Sequence, residues 1–296
     1  MMYNYNMFEC VPNFSEGEDQ DLIDQILSSV KTAKVLNVHS DPDHNRSVVT
    51  MVGDAKGIKQ AAFDLTARAE QLLNINEHTG VHPFIGVMDV IPFIPLSGST
   101  MKEAAEIARE TGKDIWEKLK IPVYYYGEAA KIAERRDLPY VRKGGYAALK
   151  NEINEKHRIP DLGKELHQTA GATAVGARNF LIAYNVDLAT NDLDTARSIA
   201  KNIREKSGGL KGVRALGLEL KSRGITQVSI NIIDHKETSI IQVFDQVKTW
   251  AKEYEVEIVG SELVGLIPKD ACFPDMKEDL KMANFNDGLI IENLLK

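Results

Sequence analysis

The sequence predicts an α+β fold, an α/β sandwich of two subdomains with facing mixed β-sheets and helices on the outside. Three observations carry this. Both halves mix strand-like apolar runs with amphipathic helical ones, and each holds at least two neighbouring strands with no helix between them, which argues against a purely parallel βαβ array. A long, charged stretch marked by Gly and Pro, residues 128–171, separates the two patterns. Each half would also leave one sheet face uncovered. Packing those faces together leaves a cleft, a common place for a ligand. The expected subdomains are residues 1–179 and 180–296, joined near 178–190.

In chain order, Phe8–Phe14 reads as a short strand and Ser15-Glu-Gly-Glu18 as a turn into a helix over 19–31. There Leu22, Ile23, Ile26, Leu27 and Val30 recur at helical spacing. Lys34–His39 is the next strand; it breaks at Ser40–Arg46, and Ser47–Gly53 resumes β character. A helix over 54–74 presents Ile58, Ala62, Leu65 and Ala69 on one face, followed by a loop and the strand Val87–Pro95. A helix over 100–119 and the strand Ile121–Gly127 complete the first pattern, and the irregular stretch holds one helix at 146–155.

In the second pattern Thr173–Ala177 leads into the strand Phe180–Val186. A helix over 191–206 is stopped by Gly208-Gly209. Leu216–Leu220 and Gln227–Ile233 are strands, 238–254 is a helix, and Val256–Val259 and Leu263–Ile267 close the pattern. The tail from Asn284 carries Leu289, Ile290, Ile291, Leu294 and Leu295, enough apolar surface to dock on its own or a neighbouring subunit.

The bulk numbers narrow the function classes. Hydrophobic content of 43% and charge of 27% over 296 residues fit an ordinary globular protein with ample core. The net charge of −7, with no basic stripe, excludes a general phosphate-backbone binder, so no nucleic-acid partner is expected. No apolar run approaches the ~20 residues that span a bilayer, so no membrane partner is expected either. Two distant cysteines, Cys10 and Cys272, do not make a disulfide framework and lack zinc-ligand spacing. The opening Met1-Met-Tyr-Asn-Tyr-Asn6 lacks the regions of a signal peptide, and the expected setting is reducing and cytoplasmic.

Two stretches are dense in chemistry. Glu77–Leu96 holds His78 and His82, Gly80 and Gly86, Pro83, Pro92 and Pro95, and one buried-looking acid, Asp89, within an apolar run. The two histidines have the i, i+4 spacing of helical metal ligands, but Gly80 lies between them and Pro83 follows His82, so the segment reads as a loop feeding a strand. A histidine there suits proton transfer, with an unperturbed pKa of ~6.5, and equally suits capping of backbone groups. The second stretch, His39-Ser-Asp-Pro-Asp-His-Asn-Arg46, offers acid–base or metal-ligating groups; its composition is also that of a hydrogen-bonded turn. Val259–Leu266 is faintly glycine-rich but spaced as a strand with a turn, and neither a dinucleotide fingerprint nor a Walker loop is present.

Several blocks together resemble one family. Glu9–Gly17, Asn45-Arg46, Gly80-Val-His-Pro83, Asp89-Val90 with Pro92–Pro95, Pro122–Ala129, Gly171–Asn185 and Val259–Pro268 are similar to the glutamate formimidoyltransferases (formiminotransferases). The resemblance runs nearly end to end and covers the transferase part only, without the cyclodeaminase domain fused to it in mammalian enzymes. It implies two subdomains whose sheets face each other across a ligand tunnel for folate. It also implies transfer of a formimidoyl group between N-formimidoyl-L-glutamate and tetrahydrofolate in histidine degradation and one-carbon metabolism. His82 matches the family's catalytic histidine through Gly80–Pro83. The folate-binding loop matches Gly163-Lys164-Glu165-Leu166-His167-Gln168-Thr169-Ala170-Gly171, which shares little beyond its end glycines and is one residue shorter. The family's acid near the histidine falls on His39, so Asp41 or Asp43 is expected to take its place.

The chemistry this implies needs an acid–base group and cations, with tetrahydrofolate as co-substrate and no metal. One histidine can take the N5 proton of tetrahydrofolate and return it to the leaving nitrogen, with a carboxylate holding its tautomer. Arg46, Arg142 and Arg178 are the candidates, in that order, to pair with substrate carboxylates, and Asn45 and His39 are expected as further substrate contacts. Small-molecule substrates and a homodimer are the expected partners. Three other readings stay open on sequence: formyl transfer from 5-formyltetrahydrofolate to glutamate, folate binding without turnover, and a metal-hydrolase cluster of His39, His44, His78 and His82.

Overall fold

The computed structural model describes residues 6–295. Residues 1–5, most of the stretch expected to carry no leader, and Lys296 lie outside the described residues. The chain gathers into two compact units, Met1–Asn179 and Phe180–Lys296.

The first unit is built on a seven-stranded mixed sheet. β1 (Phe8–Cys10) and β2 (Asn13–Phe14) are one expected strand interrupted at Val11-Pro12, where proline has no N–H for the ladder. Both lie between β4 (Arg46–Gly53) and β5 (Met88–Pro95), and β3 (Lys34–Asp41) pairs antiparallel with β4. Beyond β5, β7 (Thr173–Ala177) and then β6 (Val123–Gly127) add in parallel. Thr173–Ala177 is therefore an inner strand of the first sheet rather than a lead-in to the second pattern. All five of its residues are buried, as a strand covered on both faces requires.

Helices α1 (Gln20–Leu27), α2 (Ala55–Leu72) and α3 (Met101–Leu119) form the apolar core with one face of this sheet. Helix α1 is shorter than the 19–31 periodicity suggests. Ser28 and Ser29 turn their hydroxyls onto the carbonyls of Gln25 and Ile26, offering the backbone an alternative to another helical turn. Helix α3 opens with a reciprocal Thr100–Glu103 capping box and ends at Lys120 in the left-handed region (φ 59°). Helices are not confined to one face, however. The irregular stretch folds as α4 (Leu138–Val141), α5 (Gly145–Glu152) and connecting turns, and Val141, Leu149 and Ile153 pack against Val90, Tyr124, Tyr126 and Ala174 in a separate apolar cluster.

The second unit is a four-stranded antiparallel sheet in the order β11–β8–β10–β9, from β8 (Ile182–Leu188), β9 (Val213–Leu220), β10 (Ile225–Ile232) and β11 (Ile258–Val264). Helices α6 (Leu193–Ile203) and α7 (Ile240–Glu253) share its core, the latter opened by a Ser239–Gln242 capping box. The two pieces expected at 256–259 and 263–267 are one strand. A bulge between Ile258 and Gly260 leaves Val259 half-exposed and breaks the alternation that the sequence pattern relies on. The tail docks on its own unit: the Ile291 amide donates to the carbonyl of Ile267, and Ile290 and Ile291 are buried. Short helices α8 (Met276–Asp279) and α9 (Ile291–Leu294) complete this unit. Among the described residues no helix is long and apolar enough to cross a membrane.

Candidate active site

The turn 42–45 between β3 and β4 and the loop 77–87 before β5 are tied together by backbone contacts. Asn45 sits in the left-handed region (φ 45°); its Nδ2 donates to the Thr79 carbonyl and its Oδ1 accepts from the Gly17 amide, both at 2.9 Å. Gly80 has no room for a side chain, because a Cβ there would lie 2.5 Å from the His44 carbonyl oxygen. Asn45, expected as a ligand contact, thus works as a clamp that sets the approach of the two segments. The result stacks the buried His44 ring on the partly buried His82 ring, with centroids 5.9 Å apart.

His82 Nδ1 lies 2.9 Å from the carbonyl oxygen of Pro83. A carbonyl only accepts, so this hydrogen bond requires the proton on Nδ1 and leaves the Nε2 lone pair for chemistry. Burial, the Arg46 and Arg142 guanidiniums and the neighbouring His44 hold the imidazole well below its ordinary pKa, so it is neutral at pH 7. A neutral imidazole with a bare Nε2 is a base, and once protonated beside two cations it is a strong acid.

The two arginines meet on one carboxylate. Asp89, wholly buried within the apolar run of β5, accepts at Oδ2 from Arg46 Nη1 at 2.7 Å and lies 3.3 Å from Arg142 Nη1. Its Oδ1 accepts from the Ile85 amide at 3.0 Å. Arg142 Nη1 also donates to the Pro83 carbonyl at 3.2 Å, the acceptor His82 uses. The other two nitrogens of Arg46 both donate to Asn13 Oδ1, Nε at 3.1 Å and Nη2 at 2.6 Å, so each of its three nitrogens is engaged. Burial brings the Arg46 guanidinium down to about 10, still a cation at neutral pH. Two cations on one carboxylate leave a net positive charge beside His82. Asp89 was visible in the sequence only as an acid out of place in an apolar strand; nothing local announced its partners from residues 46 and 142.

The other expected residues lie as follows. Asp41 Oδ1 accepts from the His44 amide at 2.7 Å, and the backbone carbonyl of Asp43 lies 3.5 Å from the Val81 amide. Asp41 is the last residue of β3 and Asp43 lies in the turn that follows, while the Nδ1 partner of His82 is a backbone carbonyl rather than either carboxylate. His39 is on β3, paired with Val48. His78 packs edge-on against Phe84 with centroids 4.5 Å apart. Among the described residues, His39, His44, His78 and His82 do not bring three ligand atoms within reach of one ion. Arg178 follows β7, where its Nη1 donates to the Asn179 carbonyl and its charge acts on the buried Glu9 of β1. It is not part of the Asp89 cluster.

The segment 163–171 reaches the histidine loop at its far end. Gly171 bridges Gly86, the Ala172 amide donates to the Ile85 carbonyl, and the Val87 amide donates to Ala170. His167 Nδ1 accepts from the amides of Thr169 and Ala170, which makes it a cap of its own loop. Lys164, Glu165 and Gln168 are exposed and Leu166 is half-buried. At the near end Gly163 has φ 89° and lies so close to Trp116 that a Cβ would come within 2.9 Å of the indole. Residues 163–169, Trp116 and Lys120 line a groove of about 650 Å³, with the Lys120 ammonium 5.6 Å from the Trp116 ring centroid. That volume suits a small-molecule ligand.

Comparison with known proteins places this geometry in context. Residues 7–178 match the Formiminotransferase domain, N-terminal subdomain, and residues 183–278 match the Formiminotransferase domain. The chain is 41% identical to a glutamate formimidoyltransferase of Thermoplasma acidophilum over 296 residues, covering 98% of each chain. It is 39% identical to a glutamate formimidoyltransferase of Streptococcus pyogenes serotype M1, covering 97% of this chain and 98% of that one. A formimidoyltransferase-cyclodeaminase of Mus musculus is 39% identical over 275 residues, which are 90% of this chain and 51% of the mouse protein.

Proposed function

The chain belongs to the formiminotransferase family, and on that premise we propose that it is a glutamate formimidoyltransferase with His82 as its acid–base group. It transfers the formimidoyl group between N-formimidoyl-L-glutamate and tetrahydrofolate, giving 5-formimidoyltetrahydrofolate and L-glutamate, a step of histidine degradation and one-carbon supply. The observation that carries the role of His82 is its Nδ1 contact with the Pro83 carbonyl, which leaves Nε2 unprotonated beside a net positive charge.

The N5 amine of tetrahydrofolate attacks the amidine carbon, forming the N5–C bond and a tetrahedral intermediate. His82 Nε2 takes the N5 proton and returns it to the glutamate nitrogen as the C–N bond to glutamate breaks. Its lowered pKa favours the second transfer, since burial and the charges of Arg46 and Arg142 disfavour the imidazolium. Arg142 is the cation best able to meet a substrate carboxylate, because Arg46 is committed to Asp89 and Asn13. Segment 163–171 holds the folate, supported by the groove beside Trp116 and by its attachment to the histidine loop. Tetrahydrofolate enters as co-substrate. The reading includes a cytoplasmic setting and a homodimer, which fractionation and sedimentation equilibrium test.

The deciding assay follows folate absorbance with purified protein, tetrahydrofolate and N-formimidoyl-glutamate, run beside 5-formyltetrahydrofolate with glutamate. Turnover of the first pair is expected. Turnover of the second pair alone would replace the formimidoyl reading with formyl transfer, and turnover of neither would leave a folate-binding protein.

A further inference from the structure

A carboxylate inside an apolar strand is an expensive choice, because removing a charge from water is strongly unfavourable before any partner is counted. Asp89 has buried neighbours Met88, Val90 and Ile91 on its own strand and is itself wholly buried. If cohesion of the sheet were all that was needed, an apolar residue would serve. Besides the ion pair with Arg46, its contacts reach the short segment that carries the catalytic histidine. Oδ1 fixes the Ile85 amide, three residues beyond His82. Oδ2 holds Arg142, whose same Nη1 donates to the Pro83 carbonyl, the acceptor of His82 Nδ1.

We propose that Asp89 is a positioning residue for the transfer, acting through Arg142 and the Pro83 carbonyl to keep His82 in the Nδ1–H tautomer and to aim one guanidinium at a carboxylate of the amino-acid substrate. The inference rests on the reading of His82 as the acid–base group. Two effects follow from one contact. Arg142 occupies one lone pair of the Pro83 oxygen and so fixes the carbonyl's orientation, leaving the other for Nδ1, and the Nε2–H tautomer would forfeit that hydrogen bond, so Nε2 stays free. The carboxylate also cancels one of two adjacent guanidinium charges. Without it Arg46 and Arg142 repel each other; with it they stay close, and Arg142, the more exposed of the two at 14% against 9%, has donors left over to carry the surplus charge.

The test is Asp89→Asn, which keeps the shape and removes the charge. Nitrogen-15 spectra of the wild type are expected to show His82 as the Nδ1–H tautomer, and those of the variant a mixture. The KM for N-formimidoyl-glutamate is expected to rise about tenfold or more, the loss of a charge-assisted hydrogen bond, while the KM for tetrahydrofolate stays within about twofold. Should Asp89→Asn not fold by circular dichroism, Arg142→Gln, at the half-buried end of the same relay, is expected to give the same two changes. An unaltered His82 tautomer in the folded variant, or the two KM values moving together, would overturn the proposal. The spectra need no turnover, so failure of the transferase reading would appear separately, as a wild type inactive toward both substrate pairs.

Discussion

His82 Nδ1 and Arg142 Nη1 converge on one acceptor, the Pro83 carbonyl oxygen, at 2.9 and 3.2 Å. This shared oxygen makes the free nitrogen of His82 its Nε2, the atom that moves the proton in the proposed transfer. Replacing His82 by Ala is therefore expected to lower kcat by about 10²–10⁴-fold with KM values little changed. Steady-state kinetics decide it: normal turnover would remove His82 from the mechanism.

The acid limb of the pH profile follows from the same environment. A base works while neutral, and burial and the two guanidiniums depress this imidazole from 6.5. Proton binding is thus postponed to lower pH, and kcat/KM should stay level as pH falls through 6.5, declining only well below it. A limb centred at or above 6.5 would assign the base to another group.

Arg46 and Arg142 should part company on mutation. Arg46 is buried and supplies donors to Asp89 and Asn13, so Arg46→Ala leaves a buried carboxylate short of a partner and is expected to cost about 3–5 kcal/mol of stability. Arg142→Ala should instead raise the KM for the glutamate-bearing substrate with a smaller loss of stability. Urea unfolding alongside Michaelis constants separates the two, and the reverse assignment would make Arg46 the carboxylate ligand. The sequence ranks Arg46 first; only the three-dimensional partners show that each of its nitrogens is already engaged by Asp89 or Asn13.

Glu9 gives a stability prediction with a definite sign. Its carboxyl is buried on β1, its Oε2 has no hydrogen-bond partner, and burial pushes its pKa from 4.5 to about 7 against the pull of Arg178. The folded state binds the proton more tightly than the unfolded one between these values. Its contribution is therefore whole below pH 4.5, is lost as pH rises through about 7, and changes little above that. Glu9→Gln, a mimic of the neutral carboxyl, should be more stable than wild type at pH 8 by up to about 3 kcal/mol and indistinguishable at pH 4.5. Denaturant melts at the two pH values check it, and equal differences at both would mean the carboxyl is not titrating in this range.

What the sequence made legible was local. Capped helices such as α3, with Thr100 and Glu103 three residues apart, and the strand β5 behind Pro83 could be placed because their signals lie within one or two turns of chain. The insertion of β7 between β5 and β6 could not, because five small residues at 173–177 carry no mark of which distant strands they will pair with. The site divides in the same way. His82 and the segment 163–171 are nominated by contiguous words, whereas the Asp89 hub depends on residues 46, 85 and 142 meeting in space. The expectation that Asp41 or Asp43 would hold the histidine followed from side-chain chemistry, and such reasoning has no means of nominating a backbone carbonyl.

The tail supplies the last test, because its docking is intramolecular in the described chain. Ile290 and Ile291 are buried in the second unit, and the pairing of Ile267 with Ile290 and Ile291 closes that unit's edge beyond β11. Each fully buried isoleucine contributes about 1.5–3 kcal/mol. Truncation before Asn284 is therefore expected to remove several kcal/mol, an upper figure because the unfolded chain already buries part of that surface. The loss should fall on the second unit, so calorimetry should show a lower melting temperature while sedimentation of the still-folded protein gives the oligomeric state of the full chain, less the mass of the deleted tail. A change of oligomeric state with unchanged melting temperature would reverse the assignment and place the tail's energetic role at a subunit interface.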